Sequence, residues 1–433
     1  MQKINHIVFI YQENWSFDGL YGSFPGANGV ASASATSIQQ IDKLTGAPLS
    51  SLPQPLVNGQ PDSRFPATMP VAPVNILQYV SPSAITGDIV HRFYQEQSQI
   101  DGGKMDKFAT WSDNPGLVLT NFDASNLPEG QLAKQYVMMD NFFHSAFGGS
   151  FLNHQFLICT CAPTFPNAPS SVVATVDSSG KQLALDSTGK IVHDGFVTPD
   201  GLDVNTSFTV NTPHPGVPSN QLVPNQSAPT IGDRMSAANV SWKWYSGGWN
   251  NALAGNPDPL FQFHHQPFAY YSNFADGTGA KAAHLQDEAN FFTDVQNGSL
   301  PSVSFIKPLG PDNEHPGYAS LIQGQNHVAT LVNTIKNSPY WKDTVIVVSY
   351  DEHGGRWDHV APPPPPDRFG PGSRVPGILI SAYAKHGYVD HTQYETVSIL
   401  SMIELRFGLQ PLSARDAAAN PMLNAFDFTQ PAP

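Results

Sequence analysis

Cysteine is nearly missing from this chain of 433 residues: there are two, Cys159 and Cys161. A pair one residue apart is poorly placed for an ordinary disulfide, so the framework is not disulfide-built and both cysteines read as small buried hydrophobes. Charge is also scarce. Asp, Glu, Lys and Arg together make up 13% of the chain, about half the usual share. The deficit is largest on the basic side, with 21 Lys plus Arg against 35 Asp plus Glu and a net charge of -14. Nucleic acid or an anionic membrane would demand a basic surface, so neither is expected as a general partner. No run approaches the roughly 18 consecutive apolar residues of a membrane span, so no stable membrane anchor is expected. No signal peptide precedes the first strand. The chain is then either cytoplasmic or stripped of a leader, and its many Asn, Ser, Thr and Pro residues with few lysines suit a periplasmic or secreted protein. No internal repeat is visible.

What the chain does have is a series of short, continuous apolar runs: Ile7–Tyr11, Tyr136–Met139, Trp242–Tyr245, Val303–Ile306, Val345–Tyr350 and Gly377–Ile380. Such runs read as strands buried on both faces. Helical patterns lie between some of them. Val328, Leu331, Val332 and Ile335 share one face and stop near Pro339. "HLQDEANFFTDVQNG" closes on Gly298, and "TVSILSMIELRFG" closes on Gly408. Alternating strands and helices predict an α/β fold, a three-layer α/β/α sandwich around a parallel or mixed sheet, in a single domain of residues 1–433. Ser37–Pro82 reads as a long excursion. Residues from about 165 to 230, with the turn signals "DSSGK" and "DSTGK", read as a small β-hairpin insertion, or a cap over the site. Pro362–Pro366 reads as a stiff structural loop.

Two of the strands end in acidic pairs, Glu13-Asn14 and Asp351-Glu352. Ligands of open α/β sheets gather at the carboxyl ends of strands. If these two strands are neighbours, three carboxylates and an amide oxygen meet at one point, an oxygen site for a hard divalent cation. Calcium, magnesium or manganese suit such a site, while nearby histidines leave iron or zinc open. A third segment, "DNFFHSAFGGSFLNHQFLICTC", puts Gly148-Gly149-Ser150 where a loop enters a helix. Ser150 there is either an N-cap or a nucleophile activated by an adjacent metal and by the helix end. Asn153, one turn on, is placed to donate to an anionic oxygen. The 15 histidines are the fourth element. His91, His264, His265, His315 and His359 sit in segments that read as ordered loops. A phosphate site needs donors around the oxygens and a proton source for the leaving group, and imidazoles supply both.

The segments "QENWSFDGLYGSFPGANG", "GGKMDKF", "GGSFLNH", "EHPGY" and "YDEHGGRWDHVAPP" together resemble the motif set of the bacterial acid phosphatase and phospholipase C phosphoesterases, in the alkaline phosphatase-like superfamily. Trp15 follows "QEN" where the phospholipase branch has arginine, so the resemblance leans to the acid phosphatase branch. It implies that Glu13, Asn14, Asp351 and Glu352 bind the metal, and that Ser150 attacks phosphorus while also touching the metal. It further implies that Asn153, His91, His265 and His315 surround the phosphoryl group, with His264 close by. His359 falls in a matching motif without an assigned role. The chain departs from the family at Leu152, His154 and His353, all beside the implied phosphate pocket, which puts substrate choice in question. The sulfatase pattern fails, since Phe165 stands where that branch needs arginine after Cys161.

The expected function is therefore metal-dependent hydrolysis of phosphate monoesters, on a small phosphate ester, through a phosphoserine. The same chemistry on a diester, as in a phospholipase C, is the nearest rival, with Phe261, Phe263, Phe268, Tyr270 and Tyr271 as a conceivable lipid-facing surface. A noncatalytic secreted binding protein on the same fold is the rival of another class.

Overall fold

The computed structural model describes residues 1–430. All six apolar runs are strands of one eight-stranded sheet. In chain order these strands are β1 (His6–Gln12), β2 (Val137–Met139), β3 (Trp242–Ser246), β4 (Leu285–Asp287), β5 (Val303–Lys307), β6 (Thr344–Tyr350), β7 (Gly377–Ser381) and β8 (Tyr388–Asp390). Their order across the sheet is β4-β3-β5-β1-β6-β7-β2-β8. The first five run parallel, β7 is antiparallel to both its neighbours, and β8 is parallel to β2. The sheet is thus mixed. β6 is buried at all seven positions and β1 at every position but His6, which is why neither alternates in polarity.

The principal helices are α1 (Phe93–Ile100), α2 (Pro128–Gln135), α3 (Ser150–Cys159), α4 (Glu288–Gln296), α5 (Leu321–Lys336) and α6 (Ser398–Phe407). The Ser320 side chain caps α5 by accepting from Gln323 N–H, and Asp287 caps α4 by accepting from Ala289 N–H. Gly408, with φ 66°, ends α6 in the left-handed conformation. α5 packs against α2 and α4, and α3 packs against α6. The result is a mixed α/β fold with a large central sheet covered by helices. Leu331, Val332 and Ile335 of α5 are fully buried, each worth about 1.5–3 kcal/mol in transfer from water.

The ladder between β1 and β6 is what positions the chemistry. It runs from His6 opposite Thr344 to Gln12 opposite Tyr350. The residues that follow, Glu13-Asn14 and Asp351-Glu352, therefore leave the sheet side by side. β5 flanks β1 on its other side, with Ile306 opposite Ile10, and ends at Lys307.

Ser37–Pro82 holds only two-residue strands and short turns, among them Leu52–Pro53 paired with Thr68–Met69. In the stretch from about 165 to 230 both turn signals form. Asp177 and Asp186 accept from the N–H two residues on, and Gly180 and Gly189 take positive φ. The flanking pairings are single bridges, Val176 to Leu183 and Leu185 to Ile191, rather than extended strands.

One expectation is overturned. Cys159 and Cys161 form a disulfide. α3 ends at Cys159, and Thr160 takes the left-handed conformation with φ 55°. That reversal brings the two Cα atoms to 5.2 Å, within disulfide reach. The spacing alone did not reveal the turn.

The loop that presents Ser150 is equally specific. Gly148 has φ 90°, and a Cβ there would lie 2.4 Å from the Phe93 nitrogen. Gly148→Ala is expected to destabilise the protein by about 1–3 kcal/mol, read from urea unfolding, because both the dihedral and the space exclude a methyl.

Candidate active site

Ser150 is the first residue of α3, with Gly149 at the N-cap offering no side chain, so the helix's first N–H groups remain available to an anion. The Ser150 hydroxyl donates to Glu13 Oε2 at 3.1 Å. Glu13 Oε1 faces His265 Nε2 at 2.9 Å and contacts the Lys307 ammonium. Lys307 Nζ is also 3.8 Å from Asp351 Oδ2. Asp351 Oδ1 accepts from the Asn14 and Glu352 backbone N–H groups at 3.1 and 2.8 Å. Glu352 Oε2 accepts from Gly354 N–H at 2.6 Å. The two strand ends thus meet at one point beside the serine.

The histidines divide by tautomer. His91 Nδ1 lies 2.6 Å from the Ile89 carbonyl, and His315 Nδ1 points at the Pro316 carbonyl. A carbonyl only accepts, so each Nδ1 carries the proton and each Nε2 of the neutral ring accepts. Both accept from the Asn14 amide, at 3.1 and 2.9 Å. Asn14 itself has φ 64°, a left-handed conformation that asparagine tolerates. With its N–H groups spent on the histidines, its Oδ1 is turned to the acidic centre.

Three oxygens there are buried and lack a hydrogen-bond partner among the described residues, Asn14 Oδ1, Asp351 Oδ2 and Glu352 Oε1, while Glu13 Oε1 meets the Lys307 ammonium and His265. Each expected ligand but Glu13 contributes one. Buried oxygens of this kind are costly unless a cation takes them, so the donor set fits a divalent metal ion. The charges agree: three carboxylates face one ammonium. Burial and then the Glu13 charge push the Asp351 carboxyl well above its ordinary range, and burial and then Asp351 do the same to Glu352. Burial also opposes ionisation of Glu13, but His265 and Lys307 overcome it and hold that carboxyl well below its usual range. Burial depresses His265 to about 4 and drives His154 and His264 well below the ordinary imidazole value, leaving these rings neutral.

The Phosphoesterase family profile matches residues 4–410. The chain belongs to the Phosphoesterase family. Phospholipase C B of Mycobacterium tuberculosis is 26% identical over 478 residues, spanning 100% of this chain and 79% of the relative. The non-hemolytic phospholipase C of Pseudomonas aeruginosa is 23% identical over 471 residues, spanning 100% of this chain and 58% of its own length. Among solved structures, a protein in the alkaline phosphatase superfamily from Vibrio parahaemolyticus aligns at TM-score 0.35 and 12% identity, over 71% of this chain and 64% of that one.

Not every expected residue of this phosphoesterase faces the acidic centre. The Asn153 amide is spent on its own loop. It donates to the Ala146 and Gly149 carbonyls at 2.8 and 3.2 Å and accepts from Ala146 N–H at 2.9 Å. It braces the glycine turn instead of pointing at an anion. His359 lies in a separate cluster, with Nδ1 2.6 Å from Asp18 Oδ2 and Arg374 bridging Asp18 and Asp358. His264 packs its ring edge-on against His265, 4.5 Å between centroids, behind the first ring. Phe268, Tyr270 and Tyr271 are buried, with the Tyr270 hydroxyl donating to the Ser207 carbonyl, so they are core rather than lipid-facing surface.

Lys307 went unread in the sequence, and His154 was read only as a departure from the family beside the implied pocket. Lys307 is fully buried at the end of an apolar strand, and a lysine closing "VSFIK" was the available signal. His154 sits one turn after Ser150, donates from Nδ1 to the Ser150 carbonyl at 2.7 Å and stacks on His265, with ring centroids 4.9 Å apart. With Glu13 and His265 it offers ligand atoms that lie within 4.8 Å of one another, so nitrogen donors border the oxygen set.

A buried carboxyl pair braces this site from behind. The Tyr350 hydroxyl lies 2.7 Å from Glu314 Oε2 and 3.0 Å from Glu129 Oε2, and Gln12 Nε2 donates to Glu314 Oε1 at 2.9 Å. Gln12 and Tyr350 immediately precede the two acidic pairs, and Glu314 precedes His315. Burial pushes Glu129 up from 4.5 to about 7 and drives Glu314 well above its ordinary range. Between those values the folded state holds more protons than the unfolded chain. Stability from this pair is therefore full below about pH 4.5 and is lost as pH rises through about 7. In Glu129→Gln, thermal melts at pH 5 and pH 7 are expected to differ less than in the parent protein.

Proposed function

We propose that this phosphoesterase hydrolyses phosphate monoesters, with Ser150 as nucleophile and Glu13, Asn14, Asp351 and Glu352 as the residues holding a divalent cation. The observation that carries this reading is the Ser150 hydroxyl, set at a helix start against Glu13, with unpartnered buried oxygens of Asn14, Asp351 and Glu352 on the adjoining strand ends. When bound, the cation supplies neutralisation of phosphate charge and a lowered pKa for a coordinated hydroxyl. The chain's own residues do the rest. Glu13 orients the Ser150 hydroxyl by accepting its proton. The N-terminal N–H groups of α3 receive phosphoryl oxygens. Ser150 Oγ bonds to phosphorus as the bond to the leaving oxygen breaks. The proton for that oxygen comes from water, because His315 Nε2, half-buried at the rim, accepts from Asn14 and His265 is buried and held neutral. Water then resolves the phosphoserine, with the proton roles reversed.

A phosphodiester reading is favoured by the phospholipase C relatives that match the whole chain. It is also favoured by an apolar hollow of about 770 Å³ next to the nucleophile turn, lined by Phe93, Phe147, Ala361 and Pro362–Pro365. The Cys159–Cys161 disulfide supports an oxidising compartment, the periplasm or the exterior. Among the described residues no helix is long and apolar enough to cross a membrane.

Turnover of p-nitrophenyl phosphate and of p-nitrophenylphosphorylcholine, each with and without chelator, separates the readings. Chelator-sensitive preference for the monoester is expected. Preference for the choline diester would move the assignment to a phospholipase C, and silence on both with metal restored would remove the enzymatic reading. Ser150→Ala is expected to fold and bind metal while losing roughly 10³-fold or more in turnover, and near-parental turnover would end the nucleophile assignment.

A further inference from the structure

A second cluster lies behind the nucleophile turn, and the proposed reaction makes no use of it. Glu96 on α1, His144 in the loop after β2, and His353 directly after the second acidic pair are all fully buried. Glu96 Oε1 lies 2.9 Å from His144 Nε2 and 3.5 Å from His353 Nε2. One ligand atom from each of the three falls within 4.8 Å of the others. A tetrahedral ion with bonds of about 2.0–2.2 Å needs ligand separations of roughly 3.2–3.6 Å, a range that the 3.5 Å edge meets and the 2.9 Å edge falls short of.

The opposite ring nitrogens fix which atoms face inward. His144 Nδ1 lies 2.8 Å from the Ala146 carbonyl, and His353 Nδ1 lies 3.1 Å from the Arg356 carbonyl. Each Nδ1 therefore donates to its carbonyl, which turns both Nε2 atoms towards the Glu96 carboxylate. His353 Nε2 is buried without a hydrogen-bond partner among the described residues, aimed at Glu96. Backbone carbonyls that orient imidazoles from behind are the usual outer partners of metal-bound histidine. Ser373 holds the carboxylate in place, its N–H and hydroxyl donating to Glu96 Oε1 at 2.9 and 3.0 Å.

We infer that Glu96, His144 and His353 form a second metal site, distinct from the oxygen-rich catalytic one, for a transition-metal dication such as zinc. The two nitrogens and one carboxylate oxygen select against calcium and magnesium. The site has a structural task. Glu96 Oε2 accepts from Gly148 N–H at 2.6 Å, and His353 adjoins Glu352, so an ion here clamps the nucleophile turn to the acidic loop.

The test is cobalt(II) titration of the chelator-treated full chain, followed by elemental analysis and by the visible absorption of tetrahedral cobalt. The expected result is about two equivalents per chain. His144→Gln and His353→Gly should each lose about one equivalent together with the tetrahedral band, while Asp351→Asn keeps that band. A single equivalent in the parent protein, or a band that survives both histidine substitutions, would overturn the site. The parent stoichiometry decides even if a variant fails to fold. Because Asp351→Asn reports the catalytic ion separately, loss of either site is distinguishable from loss of the other.

Discussion

The hydrogen-bond ladder between β1 and β6 fixes nearly everything that follows at the carboxyl edge of the sheet. Its last rung joins Gln12 to Tyr350, and the next two residues on each strand are the acidic pairs. A slip of one residue would turn each strand's side chains to the opposite face and separate Glu13 from Asp351. The register is held by burial on both faces and, at its end, by Gln12 and Tyr350 gripping the Glu129–Glu314 carboxyl pair. The same rung that aligns the core therefore aligns the two acidic pairs.

That alignment stores electrostatic cost. Three carboxylates are taken out of water around one buried ammonium, and Asp351 and Glu352 each keep an oxygen without a hydrogen-bond partner. Of the neighbouring rings, burial keeps His154 and His264 neutral, so only His265 helps Lys307 to hold Glu13 ionised. What remains is a concentrated negative centre against the positive end of α3, with Ser150 between them. Such a centre favours a dication first and an anionic substrate oxygen only once the dication is present, which orders binding by charge alone.

Much of this was legible in the sequence because it is written in local pattern. Continuous apolar runs announced the six principal strands, and the acidic residues that closed two of them announced the site. What was not legible depends on partners far apart along the chain. Lys307 is an ordinary lysine until β5 lies beside β1. Glu96, His144 and His353 come from three segments that only the fold brings together. The two misread features failed for local reasons. The left-handed Thr160 closes Cys159 onto Cys161, and the backbone of the glycine turn consumes the Asn153 amide. Neither backbone geometry follows from residue type.

The central claim is that the strand-end oxygens form a cation site whose charges repel when it is empty. Comparing urea unfolding of Asp351→Asn with that of the parent chain tests it directly, first in chelator and then with saturating manganese(II). The account predicts a reversal. Without metal the variant is the more stable, because one buried like charge is gone; with metal the parent is the more stable, because only it retains the full ligand set. A variant that is less stable under both conditions would mean that Asp351 serves the fold rather than a cation, and would contradict the account.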